Sequence, residues 1–145
     1  MRRRLLFGLG SFAFAGLLTG TVSGWAQSTP TAIEIPRNAT ALEGIPQVRI
    51  ETTREGALRR ELDATEAVGS RLSITIKDGR FFWAGRDGRP LTVTTTQDYT
   101  YLSSTEPGTY VRFTELGNRL LYVEHLDMPF GSVTFWGEAR VVFGK

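Results

Sequence analysis

Residues 71–83, Arg-Leu-Ser-Ile-Thr-Ile-Lys-Asp-Gly-Arg-Phe-Phe-Trp, decide the fold of this chain. Apolar and polar residues alternate through the first half of the stretch, which is the period of a half-buried β-strand. The pair Asp78-Gly79 then favours a two-residue type I′ turn, because both central residues of that turn have a positive φ. In this register Ile74 lies opposite Trp83 on the core side. The stretch therefore predicts an antiparallel hairpin.

Short alternating segments separated by turn-forming residues occur along the rest of the chain as well. Further strands are predicted at residues 47–53, 91–96, 99–103, 109–115, 119–126 and 132–143. About seven or eight short strands in succession predict an all-β fold, an antiparallel meander that closes as a small barrel or a sandwich. Residues 55–68 are good helix formers and predict one short helix, although Leu58, Leu62 and Ala64 would also share one face of a strand.

The turn at Asp87-Gly88 leaves the register of the next strand open. A two-residue loop there would place Leu91 on the face away from Trp83. Either the face that carries Phe82 is then covered as well, or the turn contains a bulge that shifts the register.

The Gly-Asn turn at residues 117–118 decides which side chains of the following strand face the core. A three-residue loop is expected, because it pairs Phe113 with Val123. On that face of the strand His125 also points towards the core. A two-residue loop would instead bury the charged Glu124.

The N-terminus has the pattern of an export signal over residues 1–26. Three arginines precede an apolar stretch at residues 5–22, and small residues follow where a signal peptidase would cut. Cleavage takes three arginines from the 17 basic residues and none of the 15 acidic ones, which changes the formal net charge from +2 to −1. We expect an extended leader at residues 27–45, a single β domain at residues 46–145, and a periplasmic or secreted location.

Composition excludes several classes of function. A near-neutral mature chain without runs of like charge gives no footprint for nucleic acid, and no stable membrane insertion is expected once the signal is removed. The chain has no cysteine and one histidine, so we predict no cofactor and no metal site.

The one histidine is the candidate for catalysis. His125 lies between Glu124 and Asp127 in sequence, and either carboxylate could orient the ring for general-base chemistry in a small hydrolase or isomerase. No serine stands in a nucleophile-elbow motif. The competing interpretation is a partly buried histidine with a structural hydrogen bond.

Aromatic residues give a second kind of candidate site. Outward aromatic side chains on a sheet can stack on sugar rings or receive an apolar partner, and a barrel cavity can hold a ligand. The candidate ligand-binding residues are Trp83, His125, Phe82, Trp136, Tyr99, Tyr101 and Arg112. The leading hypothesis is an exported, non-enzymatic binding or accessory protein for a small ligand, a glycan or an envelope protein. The enzyme is the alternative.

Overall fold

The structure, a computed structural model, describes residues 28–144, and the predicted export signal lies outside these residues. Within this range the chain forms nine strands and one helix. These are β1 (Ala39–Thr53), β2 (Gly56–Glu61), α1 (Ala64–Gly69), β3 (Leu72–Lys77), β4 (Arg80–Trp83), β5 (Arg89–Thr95), β6 (Thr100–Ser103), β7 (Tyr110–Leu116), β8 (Arg119–Met128) and β9 (Gly131–Phe143).

The strands form a closed antiparallel barrel. Strands β3 to β9 pair in sequence order, and β1 pairs with both β3 and β9, which closes eight strands into a ring. The remaining strand, β2, pairs only with the second half of β1. The predicted all-β meander is therefore confirmed, and it closes as a barrel. Closure removes the free edges that the eight strands of the ring would leave in an open sheet.

Strand β1 bends in its middle, where it leaves β3 and continues along β9. The register with β9 shifts between Pro46 and Val48, which marks a β-bulge. Gly137 lies at this bend, and a Cβ atom there would overlap the backbone of Ile45 and Pro46. The two strands therefore approach so closely at Gly137 that no side chain fits between them.

Two predicted boundaries differ from the structure. The strand predicted at residues 47–53 begins at Ala39, so that the second part of the expected leader belongs to β1. The segment 55–68 contains both elements that its pattern allowed, namely strand β2 and then helix α1. A capping box on Asp63 starts the helix. The Asp63 carboxylate accepts hydrogen bonds from the backbone N–H groups of Thr65 and Glu66, which have no partner within the helix.

The hairpin that decides the fold has the predicted register. Ile74 pairs with Trp83, and Asp78 and Gly79 have φ values of 51° and 72°. The next loop covers residues 84–88 and changes the parity of β5, so that Leu91 shares the inner face with Trp83. This is the second of the two alternatives left open by the sequence.

The predicted register of β7 with β8 is wrong. Leu116 pairs with Arg119 across a two-residue turn, and Val111 pairs with Glu124. Gly117 has a φ of 65° at the first central position, as a type II′ turn requires, and this turn keeps the strands in tight register. Glu124 therefore enters the barrel.

The barrel interior is a packed apolar core. Its largest fully buried side chains are Trp83, Tyr122, Phe113, Leu42, Leu72, Ile74 and Leu102. The leader closes one end of the barrel, because Ile33 joins the core and its carbonyl accepts a bond of 2.8 Å from the hydroxyl of Thr100. Among residues 28–144, no helix has the length and apolar character needed to cross a membrane.

Candidate binding sites

Strand β8 separates two candidate sites, one on each face of the barrel wall. Tyr122 and Glu124 point into the barrel, and Val123 and His125 point outwards. This is the reverse of the predicted orientation, in which Val123 and His125 lined the interior. The reversal follows from the turn at residues 117–118, because a shift of one residue moves every side chain to the other face.

His125 is held by neighbours on the outer face. Its ring stacks on Tyr110 with centroids 5.3 Å apart, and its Nδ1 lies 2.8 Å from the hydroxyl of Thr134. Glu124 points to the opposite face, and within the described residues neither it nor Asp127 is hydrogen-bonded to the ring. The geometry does not bring the three candidate catalytic residues together.

Several candidate ligand-binding residues meet on the outer wall. Tyr101, Arg112, Val123, Trp136 and Val48 are cross-strand partners in one row over β6, β7, β8, β9 and β1. Since cross-strand partners project from the same face, the row forms a continuous surface. Trp136 and Arg112, far apart in sequence, are thereby placed on either side of Val123.

This surface contains a shallow depression of about 300 Å³, which we call the outer hollow. Its walls include Val48, Tyr99, Arg112, Leu121, Val123 and Trp136. Val123 is only 8% exposed although it points outwards, whereas Trp136 is 44% exposed. The hollow therefore has an apolar floor and an indole wall that a ligand can reach.

Arg112 forms the polar side of the outer hollow. Its guanidinium lies over the ring of Tyr99 at 4.4 Å from the centroid, a cation–π contact. In the part of the chain that the structure describes, Arg112 forms no ion pair with a carboxylate. Tyr99 also contacts Tyr101 edge-to-face, and Tyr101 contacts Tyr110 in the same way. The aromatic contacts fix the position of a cation whose charge is unpaired.

Phe82 lies on another part of the outer wall. It pairs with Thr75, which is followed across the sheet by Ala41 and then Val142, near the end of β9. Trp136 lies near the middle of β9 and on the far side of the bend in β1. Phe82 and Trp136 therefore do not form one contiguous patch.

The second candidate site is the end of the barrel beside helix α1, which we call the barrel mouth. It is a pocket of about 650 Å³ between the end of the helix and the loop at residues 84–88. Trp83 forms part of its wall, and Arg86 reaches in from the loop to Glu124. Trp83 was predicted to face the interior, and its 1% exposure bears this out.

Glu124 is a buried charge with only half of its hydrogen-bonding capacity used. Arg86 donates to Oε1 from Nε at 3.1 Å and from Nη2 at 3.0 Å. The second oxygen, Oε2, is buried without a partner, as is the hydroxyl of Tyr122 from the same strand. Buried polar atoms without partners are rare because each one loses its hydrogen bonds to water.

The electrostatics of the barrel mouth follow from this burial. Desolvation raises the pKa of Glu124, and the charge and hydrogen bonds of Arg86 oppose the shift. Desolvation, together with the charge of Glu124, also raises the pKa of Tyr122, so its hydroxyl stays protonated. The ionisation of Glu124 in this pocket therefore depends on the balance between its burial and the positive charge beside it.

The sequence did not predict the contact between Arg86 and Glu124. The three-residue turn expected at residues 117–118 placed Glu124 on the outer face of β8, and Arg86 was not among the candidate site residues. A two-residue turn after Leu116 would have predicted Glu124 inside the barrel, but no spacing rule connects it to a loop in a distant hairpin. Among the residues described, no three His, Asp or Glu side chains lie close enough to hold a metal ion.

Comparison with protein-family models, with curated proteins and with solved structures finds no significant match to this chain.

Proposed function

We propose that this chain is an exported, non-enzymatic binding protein whose ligand occupies the outer hollow. The ligand is a small molecule or a glycan unit with a flat apolar face and an acidic group. The apolar face packs on the indole of Trp136, and the acidic group meets the guanidinium of Arg112. Export is part of the proposal and depends on the sequence of residues 1–26.

The unpaired charge of Arg112 beside an exposed indole is the observation that carries this proposal. An arginine offers several N–H donors in one plane, which suits a carboxylate. Its contact with Tyr99 holds it in place before a ligand arrives, and preorganisation of this kind lowers the entropic cost of binding. Apolar side chains that make up most of the remaining surface are typical of small-ligand sites.

The test compares acidic compounds with their neutral counterparts, glucuronate with glucose and benzoate with benzyl alcohol. The indole N–H resonance of Trp136 is followed by nuclear magnetic resonance during each titration. We expect the acidic member of a pair to bind about tenfold more tightly, because a charge-assisted hydrogen bond contributes more than 1 kcal/mol.

Two variants identify the site. Trp136→Ala should abolish binding and lower the melting temperature by only a few degrees, since 44% of the residue is exposed. Arg112→Gln should remove the preference for the acidic compound. Phe130→Ala is the control, because Phe130 is an exposed aromatic residue at the turn between β8 and β9. A large loss of stability in Trp136→Ala, or unchanged binding in it, would contradict the proposal.

A further inference from the structure

The unpartnered oxygen of Glu124 points to a second ligand, distinct from that of the outer hollow. Glu124 is 1% exposed, and its Oε2 has no hydrogen-bond donor although the residue lines an open pocket. The protein therefore supplies no hydrogen-bond donor to Oε2 of this carboxylate. A ligand that brings an N–H group into the pocket would complete the site.

The charges around the barrel mouth restrict what the rest of this ligand can be. Glu124 is the one acidic residue among those lining the pocket, and Arg71 and Arg86 are the two basic ones. Ser70 and Ser73 also line it and can donate hydroxyl hydrogen bonds. The ligand must therefore bring a hydrogen-bond donor to Oε2 of Glu124. The arginines and serines of the pocket favour a hydrogen-bond acceptor elsewhere on the same ligand.

We propose that the barrel mouth binds a small zwitterion with an ammonium group and a carboxylate, of which a free α-amino acid is the simplest case. The ammonium group donates to Oε2 of Glu124, and the carboxylate meets the arginines and serines. A simple amine would meet Glu124 but would face two cationic side chains. A simple acid would meet the arginines but would leave Oε2 without a donor.

The ionisation of Glu124 agrees with this arrangement. Burial raises the pKa of the carboxyl group, and Arg86 alone opposes the shift. The other groups near it do not supply a second cation to Oε2: Tyr122 is a neutral phenol, and Arg49 lies over the ring of Phe135 on the neighbouring strand. A bound ammonium group would stabilise the ionised carboxylate.

The pocket can be reached and can be blocked without disturbing the core. Gly69, the last residue of α1, lines the barrel mouth, and a Cβ atom built there meets nothing within 4 Å. We expect a bulky side chain at Gly69 to obstruct the entrance, because Gly69 lines the pocket, and to leave the packed interior intact, because a Cβ atom at this position meets no neighbour. This gives a test that does not depend on changing the buried Glu124.

The experiment titrates the purified protein with alanine and leucine, and with methylamine and acetate as matched partial ligands, by isothermal titration calorimetry. We expect an amino acid to bind about tenfold or more tightly than either partial ligand. Glu124→Gln should weaken amino-acid binding by about tenfold or more, because it removes the negative charge. Gly69→Trp should abolish binding, and Gly69→Ala should retain it.

Several results would overturn the inference. These are the absence of binding by every amino acid tested, equal binding of acetate, or undiminished binding in Gly69→Trp. If Glu124→Gln does not fold, the two Gly69 variants decide the question alone. Trp136→Ala should bind amino acids as the unchanged protein does, so a failure of the outer hollow and a failure of the barrel mouth are distinguishable.

Discussion

Gly44 is a residue at which a single methyl group would disturb the barrel core. A Cβ atom there would lie 2.5 Å from Cε1 of Tyr122 and 2.9 Å from Cδ1 and Cζ of the same ring. The ring is fully buried and cannot move into solvent. Gly44→Ala should therefore lower the free energy of unfolding by about 1–3 kcal/mol, the usual cost of overpacking a core. Urea denaturation measures the change.

Gly69→Ala is the control for this prediction. Its added Cβ atom meets nothing within 4 Å, so the free energy of unfolding should stay the same or rise slightly. Equal effects of the two substitutions would mean that the ring of Tyr122 does not lie against Gly44.

Glu124 gives the stability of the protein a defined dependence on pH. Its pKa is raised in the folded state above the ordinary value of 4.5. At a pH between 4.5 and the higher pKa of the folded state, the folded protein holds a proton that the unfolded chain has lost. Stability therefore falls as the pH rises through this window. Acidification from neutral pH towards about pH 4.5 should therefore stabilise the wild type relative to Glu124→Gln, whose amide does not titrate.

This comparison uses chemical denaturation of both proteins at the two pH values without ligand. All other carboxylates are shared, so their contributions cancel in the difference between the proteins. A difference that stays constant, or that moves against the wild type on acidification, would contradict the raised pKa of Glu124.

At the scale of elements, local turn chemistry predicted some strands and misled at others. The hairpin of β3 and β4 was predictable because Asp78-Gly79 fits one turn type and alternation on both sides agrees with it. At residues 117–118 the turn and the charge pattern disagreed, since the tighter turn required a buried Glu124. The tighter turn forms, and Arg86 supplies the partner that makes the burial of Glu124 tolerable.

The candidate sites were predictable only in part for the same reason. Tyr99, Tyr101, Arg112 and Trp136 could be assigned to outward positions because alternation along each strand is a local property. Their assembly into one surface depends on the order and register of five strands. The contact between Arg86 and Glu124 is even harder to predict from the sequence. Arg86 lies in an irregular loop, and no strand or helix periodicity indicates which residue its side chain contacts.

The long strand β1 shows how an element can serve two roles. Its first half closes the barrel against β3 and β9, and its second half pairs with β2 and β9 beyond the bulge at Pro46. The sequence predicted only the second half, because the residues before Pro46 show little of the apolar–polar alternation that marks residues 47–53.

At the scale of the whole molecule, one barrel wall carries both proposed sites. Strands β7, β8 and β9 present Arg112, Val123 and Trp136 to the outside, and β8 presents Glu124 to the mouth. The leader covers the other end through Ile33. The central claim is therefore the register of β8, since a shift of one residue would exchange the two faces.

Cross-strand nuclear Overhauser effects between β7 and β8 test this claim most directly. We predict contacts that pair Phe113 with Tyr122 and Val111 with Glu124. Contacts that pair Phe113 with Val123 would contradict it, because His125 would then face the core and Glu124 the solvent.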